Sequence, residues 1–193
     1  MTKGGRHTYL KYIILGSQSI NGLLSGTMLH DQGYEFLHLG RFLERADMTT
    51  AIVDARTANL LPEEATELLP FVTIQWVSVL KSMTAYQAYR RSEQVRVQRG
   101  PVLRFLFQHP DFPRSVRHCI EACRVSLERL PRSDSALRVA GRLKRNLEST
   151  EPRKLNQQQL HAYIDDVQTA IGEIHEEISR TWFPPPVAPE ATT

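Results

Sequence analysis

The side chains best suited to chemistry crowd into residues 31–56. Within GRFLERAD, residues 40–47, Glu44 follows Arg41 by three positions and stands directly before Arg45. At about 100° per residue on a helix, Glu44 shares a stripe with Leu37, Met48 and Ala51. A carboxylate among apolar side chains must find a cation or take up a proton, and Arg41 is a geometrically available i,i+3 partner. Two uses follow: a buried ion pair tying helices together, or a ligand-binding or catalytic carboxylate. Arg41 and Arg45, four residues apart, present guanidinium forks that suit a phosphate or carboxylate, or that pair with acids of an adjacent helix.

Other constellations are weaker. Glu35 and His38 have the i,i+3 spacing of half a carboxylate-bridged di-iron site, but there is no second Glu-x-x-His and arginines share the face, so no metal is expected. His161 and Asp165, one turn apart, suit a surface hydrogen bond. Cys119 and Cys123, with His118 beside them, fall short of a zinc set, and their helical spacing disfavours a disulfide. They read as buried, reduced core residues. A phosphate-cradling glycine loop and a nucleophile elbow are both missing, so the sequence identifies neither an enzyme nor a cofactor.

These residues need a helix to position them. The spacing predicts one from about Asp31 to about Thr57, with Asp31 as N-cap. Most of its circumference is apolar; only His38, Arg41, Arg45 and Arg56 form a continuous polar strip, which places it among other helices. Gly40 and Ala46 leave room for a close neighbour. A first helix, Thr8 to about Ser25, offers Tyr9, Tyr12, Ile13, Ile20, Leu23 and Leu24 as its core face. Its Gly16, Gly22 and Gly26 each cost about 1 kcal/mol against alanine, which close packing on the long helix would offset.

Downstream, Pro62 suits a helix start, and Pro70 opens a helix to about Arg91 that buries Phe71, Ile74, Val77, Leu80, Met83 and Tyr86, with Trp76 also in the core. Shorter helices are predicted over 102–107 and 114–130, separated by the turn at 109–113. A further helix, capped by Ser133 and Asp134, runs to about Glu148, and a strongly amphipathic one covers about Asn156 to Phe183. The expected fold is an all-α, antiparallel bundle of about six or seven helices around a central buried helix. It forms one domain over 1–183, followed by a disordered proline-rich tail at 184–193.

The 193 residues suffice for a sizeable core, and no apolar run approaches the ~20 residues needed to span a bilayer. With no convincing leader at the start, a cytoplasmic protein is expected. The net charge of +3 hides a basic segment, Arg90–Arg145, set against acidic flanks, which suggests internal or dimeric pairing. Aromatics do not alternate with these arginines, and nucleic-acid binding is disfavoured.

The run Asp31, Gly33, Phe36-Leu37, Gly40-Arg41, Glu44-Arg45-Ala46-Asp47 and Thr50 resembles the signature of the bacterial alpha-E family. The likeness continues in Trp76, Tyr86, the stretch from Leu103 to Val116 and the closing helix. Members are usually longer, with two related halves, and this chain resembles the second. The resemblance implies self-association or pairing with a missing N-terminal half. It also implies company: circularly permuted ATP-grasp enzymes and transglutaminase-like proteins. From this follows a non-catalytic partner or scaffold of an ATP-grasp ligase in peptide or amide-bond modification, with Arg41, Glu44, Arg45, Asp47, Asp31 and His38 as ligand or interface residues. The alternative is an enzyme of the same system, using Glu44 as acid/base and Arg41 or Arg45 to hold an anionic substrate.

Overall fold

A computed structural model describes residues 3–57, 69–94 and 96–184. Among these, eight α-helices follow one another: α1 (Lys3–Thr27), α2 (Gln32–Thr57), α3 (Leu69–Ser82), α4 (Tyr86–Ser92), α5 (Arg99–Gln108), α6 (Val116–Glu128), α7 (Asp134–Ser149) and α8 (Gln157–Trp182). A 3-10 turn, Pro152–Lys154, precedes α8. The fold is the expected all-α bundle, with one helix more than anticipated. The helix start at Pro62 and the tail beyond 184 lie outside the described residues.

Local chemistry sets the ends. Asp31 caps α2, its Oδ1 accepting from the Tyr34 amide at 3.2 Å. Asn156 and Gln159 form a reciprocal capping box at the start of α8, and Ser115 caps α6 by accepting from the His118 amide. Ser133 occupies the N-cap position of α7 but makes no side-chain cap bond. The extra helix arises because the stretch expected to run to Arg91 breaks at Thr84, whose φ of 55° is left-handed. There the Ala85 amide reaches back to the Leu80 carbonyl at 2.8 Å, and Met83 and Ala85 are buried.

α2, α6, α7 and α8 make the body of the bundle: α2 packs on α6 and α8, and α7 bridges α6 to α8. The short connections make α6, α7 and α8 run antiparallel. Trp76, Tyr89, Phe105 and Phe107 fill the centre with Leu39, Ile120, Leu127 and Leu147. Gln108 locks α5 to the end of α7, donating to the Leu147 and Thr150 carbonyls at 2.6 Å each.

Two packing expectations are corrected. Phe71 and Ile74 are exposed, because α3 turns Val72, Trp76, Val79 and Leu80 inward instead. α1 does not pack closely on α2: every side chain from residue 5 to residue 20 is exposed, Tyr12 at 71 % and Ile20 at 59 %. A Cβ added at Gly16, Gly22 or Gly26 would meet nothing within 4 Å. The inward side of α2 is already taken by α6 and α8, leaving α1 to project through the short turn at 28–31. No helix among the described residues is long and apolar enough to cross a membrane.

Candidate functional site

Glu44 is not buried. It is solvent-exposed on α2, and among the described residues it makes no ion pair, with Arg41 or otherwise. The stripe assigned to it faces outward: Leu37 is 42 % and Met48 45 % exposed, and a Cβ at Gly40 would meet nothing within 4 Å. The side of α2 that enters the core carries Leu39, Phe42, Leu43, Ala46, Thr50 and Val53. Periodicity alone makes most of the circumference of α2 apolar and does not say which part of it is covered.

The buried carboxylate on α2 belongs to Glu35. Its Oε1 accepts from Arg129 Nη1 at 2.8 Å, joining the start of α2 to the end of α6. Burial works to raise the pKa of this carboxyl. The Arg129 hydrogen bond, the Ser126 hydroxyl and the Arg129 charge together outweigh it, and the pKa lies below the ordinary value. Oε2 is enclosed without a hydrogen bond of normal geometry, Ser126 being near enough only to favour the ionised form. The knot expected at Glu44 therefore exists one face away, tied by an arginine 94 positions distant.

Arg45 is half-buried. Its Nη1 donates to the Pro113 carbonyl at 3.3 Å while its guanidinium lies over Phe42, 5.2 Å from the ring centroid. Burial lowers its pKa. Thr49, one turn on, donates to the Arg114 carbonyl at 2.9 Å. Together they clamp α2 to the turn before α6. That turn is braced from within: His109 Nδ1 accepts from the Asp111 and Phe112 amides, Ser115 Oγ donates to the His109 carbonyl, and His118 Nδ1 donates to the Pro110 carbonyl. Arg41 and Asp47 are half-buried. His38 sits in a ladder of rings with His30, Tyr34 and Phe42, 3.3 Å from the Tyr34 hydroxyl. Burial, then the Arg41 charge, lowers its pKa. The six candidates thus divide: Asp31 and Arg45 serve the fold, Glu44 faces solvent, and His38, Arg41 and Asp47 are half-buried.

Elsewhere, His161 lies 3.7 Å from Asp165 but bonds more closely to Asp54 of α2, at 2.7 Å. That cross-helix partner, 107 positions away, is invisible to local spacing. Cys119 and Cys123 are free, buried thiols; burial pushes Cys119 up to about 12 and Cys123 up as well. Among the described residues no three His, Cys, Asp or Glu side chains converge as metal ligands, and Arg129 holds the Glu35 of the Glu-x-x-His pair. Part of the basic segment is paired within the chain: Arg117 with Glu148, Arg124 with Glu121 and Glu128, Lys144 with Glu121, and Arg142 with Glu173.

A family model described as "a predicted alpha-helical domain with a conserved ER motif" matches residues 1–183. The chain belongs to the Alpha-E family. No curated protein and no solved structure matches it. This Alpha-E chain contains the Glu-Arg dipeptide twice, at Glu44-Arg45 and Glu128-Arg129. In the second, both residues are paired, Glu128 with Arg124 on the surface of α6 and Arg129 with the buried Glu35. In the first, Arg45 anchors to the Pro113 carbonyl while Glu44 is left facing water.

Proposed function

We propose that this Alpha-E chain is a non-catalytic helical partner or scaffold of an ATP-grasp-type ligase in a peptide or amide-bond modification system. The observation that carries the reading is the outer face of α2. There an unpaired Glu44 is framed by exposed Leu37 and Met48 beside the open Gly40. Such a face is turned away from the core, and it combines an apolar stripe, space for close approach and one specific charge, as a protein interface requires. The ligase class comes from the resemblance of the signature residues. An exposed, water-solvated carboxylate lacks the enclosure on which carboxylate catalysis relies, which favours recognition over acid/base chemistry.

The test is to add the purified protein to an ATP-grasp ligase from the same cell. Association and altered ligase activity are expected, with association weakened tenfold or more by Glu44→Lys. Absence of both association and any effect on the ligase would reject the reading. A turnover of its own, lost in Glu44→Gln, would replace it with the enzyme.

A further inference from the structure

Two opposite charges line one cleft without meeting. Glu93, the C-cap of α4, is half-buried, and Arg104 of α5 is exposed; neither joins an ion pair among the described residues. The cleft, of about 330 Å³, lies between the end of α4, α5, the turn that begins at His109 and the end of α7. Two further charges that line it are already engaged. Arg117 Nη2 holds Glu148 at 3.0 Å, and its Nη1 donates to the Gln108 carbonyl at 3.4 Å. His109 also lines the cleft, and its tautomer is set by the turn. Its Nδ1 accepts from the Asp111 and Phe112 amides at 3.1 Å each, so the neutral ring carries its proton on Nε2. Arg104 and Gln108 line a second, adjoining hollow of about 280 Å³ that extends to Glu151 and Arg153.

A guanidinium fork takes a carboxylate in pairs of hydrogen bonds, and an imidazole N–H adds a third donor of the same kind. A half-buried carboxylate across the same cleft takes an ammonium. A ligand that carries both charges satisfies the two ends at once, and the volume, at the low end of small-molecule sites, suits a ligand of amino-acid size. We propose that this cleft binds a small zwitterion, a free amino acid or a dipeptide, with its carboxylate on Arg104 and the His109 Nε2–H and its ammonium on Glu93. The adjoining hollow takes the side chain or the second residue. The site uses no residue of the α2 outer face and stands or falls independently of the ligase partnership.

Calorimetric titration of the full chain at low salt provides the test, with L-alanine, L-leucine, L-glutamine and L-alanyl-L-alanine as probes. At least one should bind, and preference between the amino acids and the dipeptide distinguishes the two sources. The N-acetyl form of the best binder lacks the ammonium and its C-terminal amide lacks the carboxylate; each should bind about tenfold or more weakly. Arg104→Gln, at an exposed position, should keep its circular dichroism and lose binding by about tenfold or more. Glu93→Gln should weaken the zwitterion to the level of the N-acetyl form in the parent protein. Arg138→Gln on α7 should bind as the parent does. The proposal is overturned if no probe binds, if either blocked form binds as well as the zwitterion, if Arg104→Gln or Glu93→Gln binds normally, or if Arg138→Gln loses binding equally.

Discussion

Glu35 and His38 share a turn of α2 and make the protein sensitive to acid in two stages. His38 has a lowered pKa, so as pH falls below about 6.5 the unfolded chain takes up this proton before the native one does, and stability declines. Glu35 is also lowered: its contribution is full above its unfolded value of about 4.5 and is lost as pH falls through the folded one. His161 acts in the other direction, because its hydrogen bond to Asp54 and that carboxylate's charge raise its pKa. Its contribution is present below about 6.5 and disappears as pH rises through the folded value. Denaturant midpoints between pH 3 and 8 in a His161→Gln background should therefore show both acid stages. His38→Gln should remove the upper stage, and Glu35→Gln should flatten the lower one while costing about 1–2 kcal/mol at pH 7. Thiol chemistry gives a second residue-scale check: Cys119 and Cys123, buried with raised pKa values, should react with a thiol reagent only after denaturant is added. Rapid labelling of the native protein would contradict the packing of α6 on α2. The sequence located the acid sites poorly for a specific reason. It shows that Glu35 is one turn from His38, but nothing local points to Arg129.

The helices whose ends carry a chemical marker were the legible ones. Asp31, Ser115 and Asn156 each accept an amide in the first turn, and the prolines at 110 and 113 frame the turn before α6. The division of α3 from α4 had no such marker. Lys81-Ser-Met-Thr-Ala85 contains neither glycine nor proline, yet Thr84 takes a left-handed conformation that a β-branched side chain tolerates poorly. The break places Met83 and Ala85 in the core and turns α4 so that the Tyr89 hydroxyl donates to the Arg96 carbonyl at 3.1 Å. Burial at those three positions sustains the strain. Thr84 itself is exposed, so Thr84→Gly should relieve strain without opening a cavity, raising stability by about 1 kcal/mol. A melting temperature unchanged or lowered would show that the turn is not strained. Gly40 provides the matching measurement on α2. It lies mid-helix with nothing near its Cβ direction, and Gly40→Ala should stabilise by about 0.5–1 kcal/mol. Loss of ligase association in the same variant would show that its missing side chain serves the interface.

At the scale of the molecule, α1 is the feature that one chain does not complete. A 25-residue helix carrying Tyr9, Tyr12, Ile13, Ile14, Ile20 and Leu23 in the open would lose helicity in water unless an apolar surface covered it. Its composition made the helix and its apolar residues readable, but what they cover was not, because hydrophobic periodicity names a face and never its occupant. The occupant we propose is α1 of a second copy. The exposed apolar residues amount to roughly 500–900 Å², the scale of one side of a stable interface. Gly16, Gly22 and Gly26 allow two such helices to approach closely, and an isologous pairing closes without leaving a sticky end. The helix contains Arg6 and Lys11 but no acid, which favours an antiparallel pairing that keeps the two basic ends apart. Light scattering of the intact protein should accordingly give a dimer. Ile13→Glu/Leu23→Glu should convert it to a monomer and reduce helicity by about the length of α1, while the melting temperature of the α2–α8 body stays within a few degrees. A clean monomer with α1 fully helical would exclude self-pairing as the source of its order, and the cover would have to be sought in the ligase.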